Sequence, residues 1–287
     1  MCDFFEAVNN MLRVMLYSQH YLRIALLHHI EDGMKFCIRL AEQSFEVNAL
    51  YQRVGSLCYD YIIQNDSNEQ LPEITITADD ILKVSGKTEI EGKRLGSISR
   101  ELWLNAAYYE MLAVQLKIAE KMPQYDTILM HGAVVATNGK AYMFTAPSGV
   151  GKTTRLMLWM KEYPDSFVVN GDKPFVKIKE TEAIVYGSPW CGTEGMNTNI
   201  SVPLKAIYIL ERAEDGNDEI KEISIGEAFP YILQQTYHPQ ESESFIKTLH
   251  LLKALNKKVK IYRFHSTPTR KSIRMAYEKA NASCNND

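Results

Sequence analysis

The stretch Ala146-Pro-Ser-Gly-Val-Gly-Lys-Thr-Thr154 carries the residue types that hold a polyphosphate. A small residue, four further positions and then Gly151-Lys152-Thr153 give the Walker A spacing. In such a loop the backbone N–H groups of Ser148, Gly149, Val150, Gly151, Lys152, Thr153 and Thr154 converge on phosphate at the positive end of a helix. Lys152 would reach the β- and γ-phosphates of ATP, and the Thr153 hydroxyl would hold Mg²⁺. The motif needs a strand before it and a helix after it. Lys140–Thr145 reads as that strand, and the apolar residues of 153–161 recur at helical spacing.

Three further positions are candidates. Asp172 ends the apolar run Phe167-Val-Val and stands in Asn170-Gly-Asp-Lys-Pro174. A carboxylate there would bind the metal or take a proton from an attacking hydroxyl. Asn-Gly-Asp is also turn chemistry, so an ordinary turn aspartate is the other reading. His131 lies in Leu129-Met-His-Gly-Ala133, expected on the strand that hairpins into the loop strand. Gly132 would let backbone approach closely beside phosphate or metal. A lone histidine among apolar residues also serves as plain core, and both readings stand. The run Tyr186–Gly195, rich in Gly, Ser, Pro and Trp, reads as a shaped site loop. Within it Glu194 would support metal or substrate. Cys191 is a weak nucleophile candidate, because no partner histidine is evident.

These residues need elements to hold them. Met34–Leu50 alternates like a hairpin, Tyr51–Gln64 reads as a helix, and 73–78 as a strand. Asp79-Asp80 opens a short helix, and the charged, glycine-containing run Lys83–Leu95 reads as an exposed loop. Phe4–His29 reads as one or two helices, and Ser97–Lys121 as the longest helix, ended by Pro123. From Asp126 strands dominate. Ile128–Thr137 and Lys140–Thr145 flank Asn138-Gly139, the strongest short hairpin signal. Strands are expected at 167–169, 175–179, 183–186, 204–210 and 258–264, and helices at 225–237, 243–255 and 267–280. The expected architecture is α/β (α+β). A small α+β domain over 1–125, with 1–30 a helical extension, precedes a core of mixed β-sheet flanked by helices over 126–287.

Bulk numbers narrow the function. The net charge of −3 gives no general pull toward nucleic acid or an anionic membrane. Five scattered cysteines (Cys2, Cys37, Cys58, Cys191 and Cys284) contain no Cys-x-x-Cys pair. They read as reduced thiols of a cytoplasmic protein rather than as a zinc site or disulfide framework. No run has the length to span a bilayer, and the N-terminus lacks the order of a signal peptide.

Taken together, Met130-His-Gly-Ala-Val-Val, Ala141-Tyr-Met-Phe, Ser148-Gly-Val-Gly-Lys-Thr-Thr and Asn170-Gly-Asp-Lys-Pro resemble the HPr kinase/phosphorylase superfamily. The same order occurs in phosphoenolpyruvate carboxykinases. The likeness continues through Gly187-Ser-Pro-Trp-Cys-Gly, Asn199, Pro203-Leu-Lys-Ala-Ile, Gln234-Gln-Thr-Tyr and Ile261-Tyr-Arg. It implies a P-loop kinase core that uses ATP with Mg²⁺ or Mn²⁺. The acceptor would be a hydroxyl of a protein, a peptide or a small molecule. The residues matching His131 and Asp172 are metal ligands in the carboxykinases. HPr kinases carry an Asp-Asp pair where this chain has Gly171-Asp172. One carboxylate here must therefore serve both roles, or another group supplies the base. The superfamily also implies a homo-oligomer. Arg155 and Arg263 are weaker phosphate-side candidates, chosen by position. Two rival classes remain: a nucleotide-binding sensor without turnover, and an ATPase switch.

Overall fold

In a computed structural model of the chain, residues 33–65, 70–95, 106–213 and 217–282 are described. The helical reading of Phe4–His29, the start of the helix expected from Ser97, and most of the polar tail lie outside them. The described residues fall into two compact units. One holds 33–38, 44–65, 70–95 and 106–118, and the other holds 39–43 with everything from Ala119 onward.

The first unit is built on a four-stranded sheet in the order β3-β1-β2-β4. β1 (Met34–Leu40) and β2 (Gln43–Ala49) are the expected hairpin. β3 is Ile62–Ile63, and β4 (Glu73–Thr75) runs parallel to β2. Two expectations need correction here. The single helix read over Tyr51–Gln64 is a short helix α1 (Gln52–Leu57), a 3-10 turn and then β3. The loop read over Lys83–Leu95 is the body of an 18-residue helix α2 (Ala78–Leu95). Two internal glycines cost a helix about 1 kcal/mol each, a weak penalty beside the tertiary packing of its apolar face. That packing is visible where Ile81 and Val84 are buried. α3 (Ala106–Lys121) follows. Its buried Glu110 accepts the N–H groups of Leu50 (2.5 Å) and Tyr51 (2.8 Å).

The second unit holds a nine-stranded mixed sheet. Its main path is β5 (Thr127–Leu129), β9 (Phe175–Ile178), β10 (Ala183–Tyr186), β11 (Ser201–Arg212), β7 (Lys140–Thr145), β6 (Ala133–Thr137) and β8 (Phe167–Asn170). β13 (Lys260–Ser266) adds to β11, and β12 (Glu219–Glu222), not foreseen in the sequence, adds to β13. β11 is the axis of the sheet. Its first residues pair antiparallel with β10, and its later ones run parallel to both β7 and β13. The β6–β7 hairpin turns on Asn138 and Gly139, both at positive φ (52° and 70°), as an Asn-Gly turn requires.

Period-two alternation sorts the two faces. Ala133, Val135, Tyr142, Phe144, Tyr208 and Phe264 face α4 (Lys152–Glu162) and α7 (Arg270–Asn281), which contribute Leu156, Trp159, Ile273 and Ala276. Val134, Ala136, Met143, Ile207 and Ile261 face α5 (Ile225–Gln234) and α6 (Ser242–Asn256), which contribute Ala228, Ile232, Leu251 and Leu255. Each fully buried leucine or isoleucine contributes about 1.5–3 kcal/mol. Both faces of the central strands are therefore covered, and the ends of the strands are left to build a site. No described helix is long and apolar enough to cross a membrane.

Candidate active site

The run expected as one strand over Ile128–Thr137 breaks in two. β5 pairs with β9, β6 pairs with β7, and Met130–Gly132 crosses between them. His131 therefore lies at the crossing and not on the hairpin strand. The crossing is bonded on both sides. Met130 N–H donates to the Pro174 carbonyl (3.1 Å) and Gly132 N–H to the Asp172 carbonyl (2.9 Å). On the other side His131 N–H donates to the Gln235 carbonyl (2.7 Å) and Tyr237 N–H to the Leu129 carbonyl (2.9 Å). Gly132 does permit a close approach, but to its own sheet. A Cβ there would stand 3.0 Å from Met143 Cγ and 3.3 Å from the Phe144 carbonyl.

β7 ends at Thr145, the loop follows, and Gly151 precedes the first turn of α4 at a φ of 104° that favours glycine. Five of the six carbonyls from Ala146 to Gly151 accept from cationic side chains. Lys152 Nζ donates to the carbonyls of Ala146 (2.9 Å) and Pro147 (3.4 Å). Arg212 donates to Gly149 (2.5 Å), and Arg155 to Val150 and Gly151 (3.4 Å each). Among the described residues, no protein acceptor takes the N–H groups from Ser148 to Thr154. The loop thus turns its oxygens toward fixed cations and keeps its donors open at a helix N-terminus, where the helix dipole adds to them. Gly149, at φ 82°, has open space where a Cβ would point.

These elements enclose a cavity of about 500 Å³. His131, Ser148, Gly149, Gly151, Lys152, Thr153, Thr154, Gly171, Asp172, Gly192, Thr193 and Glu194 line it. The structure so brings together nearly all the candidates read from the sequence. Of the candidates within Ser148–Thr154, Val150 alone is absent from this lining, its side chain packing against the aromatic face of the core. Burial lowers the Lys152 ammonium to about 8, against a smaller upward pull from Asp172.

Asp172 is held from several directions. His131 Nε2 lies 3.1 Å from its Oδ1, and Lys173 Nζ 2.9 Å from its Oδ2. Burial alone would raise its pKa. The His131 contact and the Lys173 charge outweigh that and hold the carboxyl well below the usual range. Its loop is set by Asn170, unremarked in the sequence, whose Oδ1 accepts the N–H groups of Asp172 (2.9 Å) and Lys173 (2.7 Å). Asn170 Nδ2 in turn donates to the carbonyl of buried Ser188 (3.0 Å), which also accepts from Asn197 Nδ2 (3.0 Å). An asparagine before Gly-Asp was the available signal, since asparagine side chains bond backbone two residues on.

Gly171 has no room for a side chain, because a Cβ would stand 2.7 Å from the Cys191 carbonyl. A second carboxylate does reach the cavity from the loop after β10. A Cβ on Gly192 would lie 3.3 Å from Asp172 Cβ and 3.5 Å from Glu194 Oε2, so the two acids flank that glycine. Cys191 is buried, and burial raises its thiol pKa, which disfavours a nucleophilic thiolate.

The two arginines stand elsewhere than expected. Arg155 is buried beneath the loop, donating to the Ser266 carbonyl (2.8 Å) and hydroxyl (3.0 Å). Arg263 pairs with Glu211 and Tyr231 on the sheet. Neither lines the cavity. Among the described residues no three His, Cys, Asp or Glu side chains cluster as a metal cage. Mg²⁺ needs no such cage, since it binds through one or two carboxylates, retained waters and substrate phosphates.

No protein-family model matches the chain, and no curated protein matches it. Among solved structures the HPr(Ser) kinase/phosphatase of Coxiella burnetii aligns at 13% identity with a TM-score of 0.25. The alignment covers 45% of this chain and 92% of that one. A likeness at this level decides neither family nor chemistry, and the geometry of the cavity carries the reading below.

Proposed function

We propose that the chain is a P-loop phosphotransferase that moves the γ-phosphate of ATP to a hydroxyl. The observation that carries this is the sorted polarity of the Ala146–Gly151 loop. All but one of its carbonyls are occupied by Lys152, Arg155 and Arg212, and its N–H groups line a cavity whose far wall is acidic. Such a loop accepts an anion, and the acidic wall opposite calls for a cation between the two.

Thr153 and Asp172 would hold Mg²⁺, or Mn²⁺, with His131 Nε2 and Glu194 on the same wall. The ion, when bound, supplies positive charge to the phosphate oxygens. Lys152 adds a second positive charge at the transferring group. The acceptor oxygen forms a bond to the γ-phosphorus as the bond to the bridging β–γ oxygen breaks, and the acceptor proton passes to Asp172. A carboxylate held ionised is a weak base. In a loose transition state the proton leaves late, so orientation of the hydroxyl matters more than base strength. The acceptor would enter beside Gly192 and Glu194, from the loop after β10.

Incubation of the purified chain with γ-³²P-ATP and a cell extract tests this reading. Label on a protein or metabolite supports it, and release of free phosphate alone replaces it with an ATPase switch. One observation favours a binding module without turnover, namely the closed space at Gly171 where a second adjacent acid would stand. ATP bound with no label moved would decide for that module.

A further inference from the structure

Gln235 touches His131 twice. Its carbonyl accepts the His131 N–H at 2.7 Å, and its side-chain Oε1 lies 2.9 Å from His131 Nδ1. Gln235 itself is buried at the C-terminal end of α5, and its own N–H is held by Tyr231 and Ile232. An amide oxygen only accepts, so Nδ1 carries the proton and Nε2 is the nitrogen left facing Asp172. Nε2 lies 3.1 Å from Asp172 Oδ1, so the two meet either through a proton on Nε2 or through a cation shared between them. The orientation of His131 is thus imposed from the side opposite Asp172.

We propose that Gln235 is a positioning residue of this site: it locks the His131 ring with Nδ1 protonated and Nε2 turned to Asp172, ready to share a divalent cation. Metal-ligating histidines are commonly oriented in this way, through a hydrogen bond at the nitrogen that does not bind the metal. The proposal rests on the phosphoryl-transfer reading for its purpose, but the ring geometry is testable without it. It also gives Gln234-Gln-Thr-Tyr a role, since Gln235, Thr236 and Tyr237 together form the edge against Leu129–His131.

The test uses the full ¹⁵N-labelled chain without metal, and reads the His131 ring nitrogens by two-bond ¹H–¹⁵N correlation. Wild type should show a protonated Nδ1. Gln235→Leu should lose that fixed signature and weaken Mn²⁺ binding, measured by electron paramagnetic resonance, by about 10–100-fold. Metal-free ATP binding should be retained. Gln235→Glu keeps the size, the backbone bond and the acceptor, so it should keep the signature and bind Mn²⁺ no more weakly than wild type. An unprotonated Nδ1 in wild type, or unchanged signature and affinity in Gln235→Leu, would overturn the proposal. Should the leucine variant fail to fold, a tenfold loss of Mn²⁺ affinity in the glutamate variant overturns it equally. Wild type that shows the signature but binds no Mn²⁺ would overturn the cation-sharing purpose while leaving the ring lock standing.

Discussion

His131 and Asp172 meet twice, through Nε2 and Oδ1 at 3.1 Å and again through the main chain, where Gly132 N–H donates to the Asp172 carbonyl at 2.9 Å. The second contact makes the first one rigid. Side chains that hang from directly bonded backbone keep their spacing without help from a ligand, and such preorganisation is what an electrostatic site requires. The pair is therefore part of the sheet architecture as much as of the cavity.

The Lys152 ammonium supplies the first prediction. Lys152→Ala should weaken ATP binding by about 10–100-fold, the loss of a hydrogen bond between charged groups, as measured by calorimetry. Its lowered pKa, about 8, adds a pH dependence. ATP favours the charged form, so affinity should decline as pH rises above about 8. Stability changes in the opposite sense. The unfolded chain binds more protons at this lysine between about 8 and 10.5, so its contribution to stability rises with pH across that window. Affinity that stays flat from pH 7 to 9.5 would count against Lys152 as the phosphate ligand.

Asp172→Asn should lower stability at pH 7 by about 2 kcal/mol, the scale of a hydrogen bond to a charged partner. The folded pKa lies below the ordinary value of 3.8, so the carboxylate stabilises the fold above that value. The contribution fades as pH falls through the folded pKa. Urea titrations of wild type and variant should differ at pH 7 and converge below pH 3.8. A gap of constant size down the acid range would show that the charge is not what stabilises this corner.

Restoring an acid pair at 171–172 should fail. Gly171→Asp places a Cβ 2.7 Å from the Cys191 carbonyl, so the loop after β10 must shift. Overpacking of this kind costs about 1–3 kcal/mol. The melting temperature should drop, and labelling from ATP should not increase. A variant as stable as wild type with faster transfer would mean that the loop yields easily and that a second acid is useful there.

Arg155→Met removes the guanidinium under the loop while keeping its bulk. The Val150 carbonyl loses its donor, and the Ser266 and Gly151 carbonyls keep only the N–H groups of Ala213 (3.4 Å) and of residue 155 (3.2 Å). Stability should fall by at least about 2 kcal/mol, and the amide of residue 155, bonded to the Gly151 carbonyl at 3.2 Å, should exchange faster with deuterium. Slower or unchanged exchange there would remove Arg155 as the brace of the loop.

Much of this was legible because the signals were local. A Walker A spacing and an Asn-Gly turn are read within ten residues, and the strand before the loop, the helix after it and the turn appear where expected. His131 is legible as a candidate but its element is not: the one mark of the change of strand partner is Gly132 inside the apolar run, which reads equally as a close approach within a single strand. The partners themselves, at 172–174 and 235–237, are set by tertiary pairing. The bonds of Ser188 and Asn197 join separate segments and leave no local mark, whereas the turn bonds of Asn170 to Asp172 and Lys173 are local and agree with the Asn-Gly-Asp turn reading. Lys83–Leu95 was misread because glycine and charge also suit a helix whose other side packs. Position alone suggests Arg155 and Arg263, whereas the buried Arg155 guanidinium binds the carbonyls that surround it and Arg263 pairs with Glu211.

The crossing at Met130–Gly132 has a bearing on how the chain is made. Translation delivers Leu129–Gly132 first, Asp172–Pro174 later, and Gln235–Tyr237 later still. A nascent chain still ending in α4 has its Ala146–Gly151 loop but neither edge of the crossing. The Asp172 wall follows with β8, and the crossing gains its second edge only once Gln235–Tyr237 has been made.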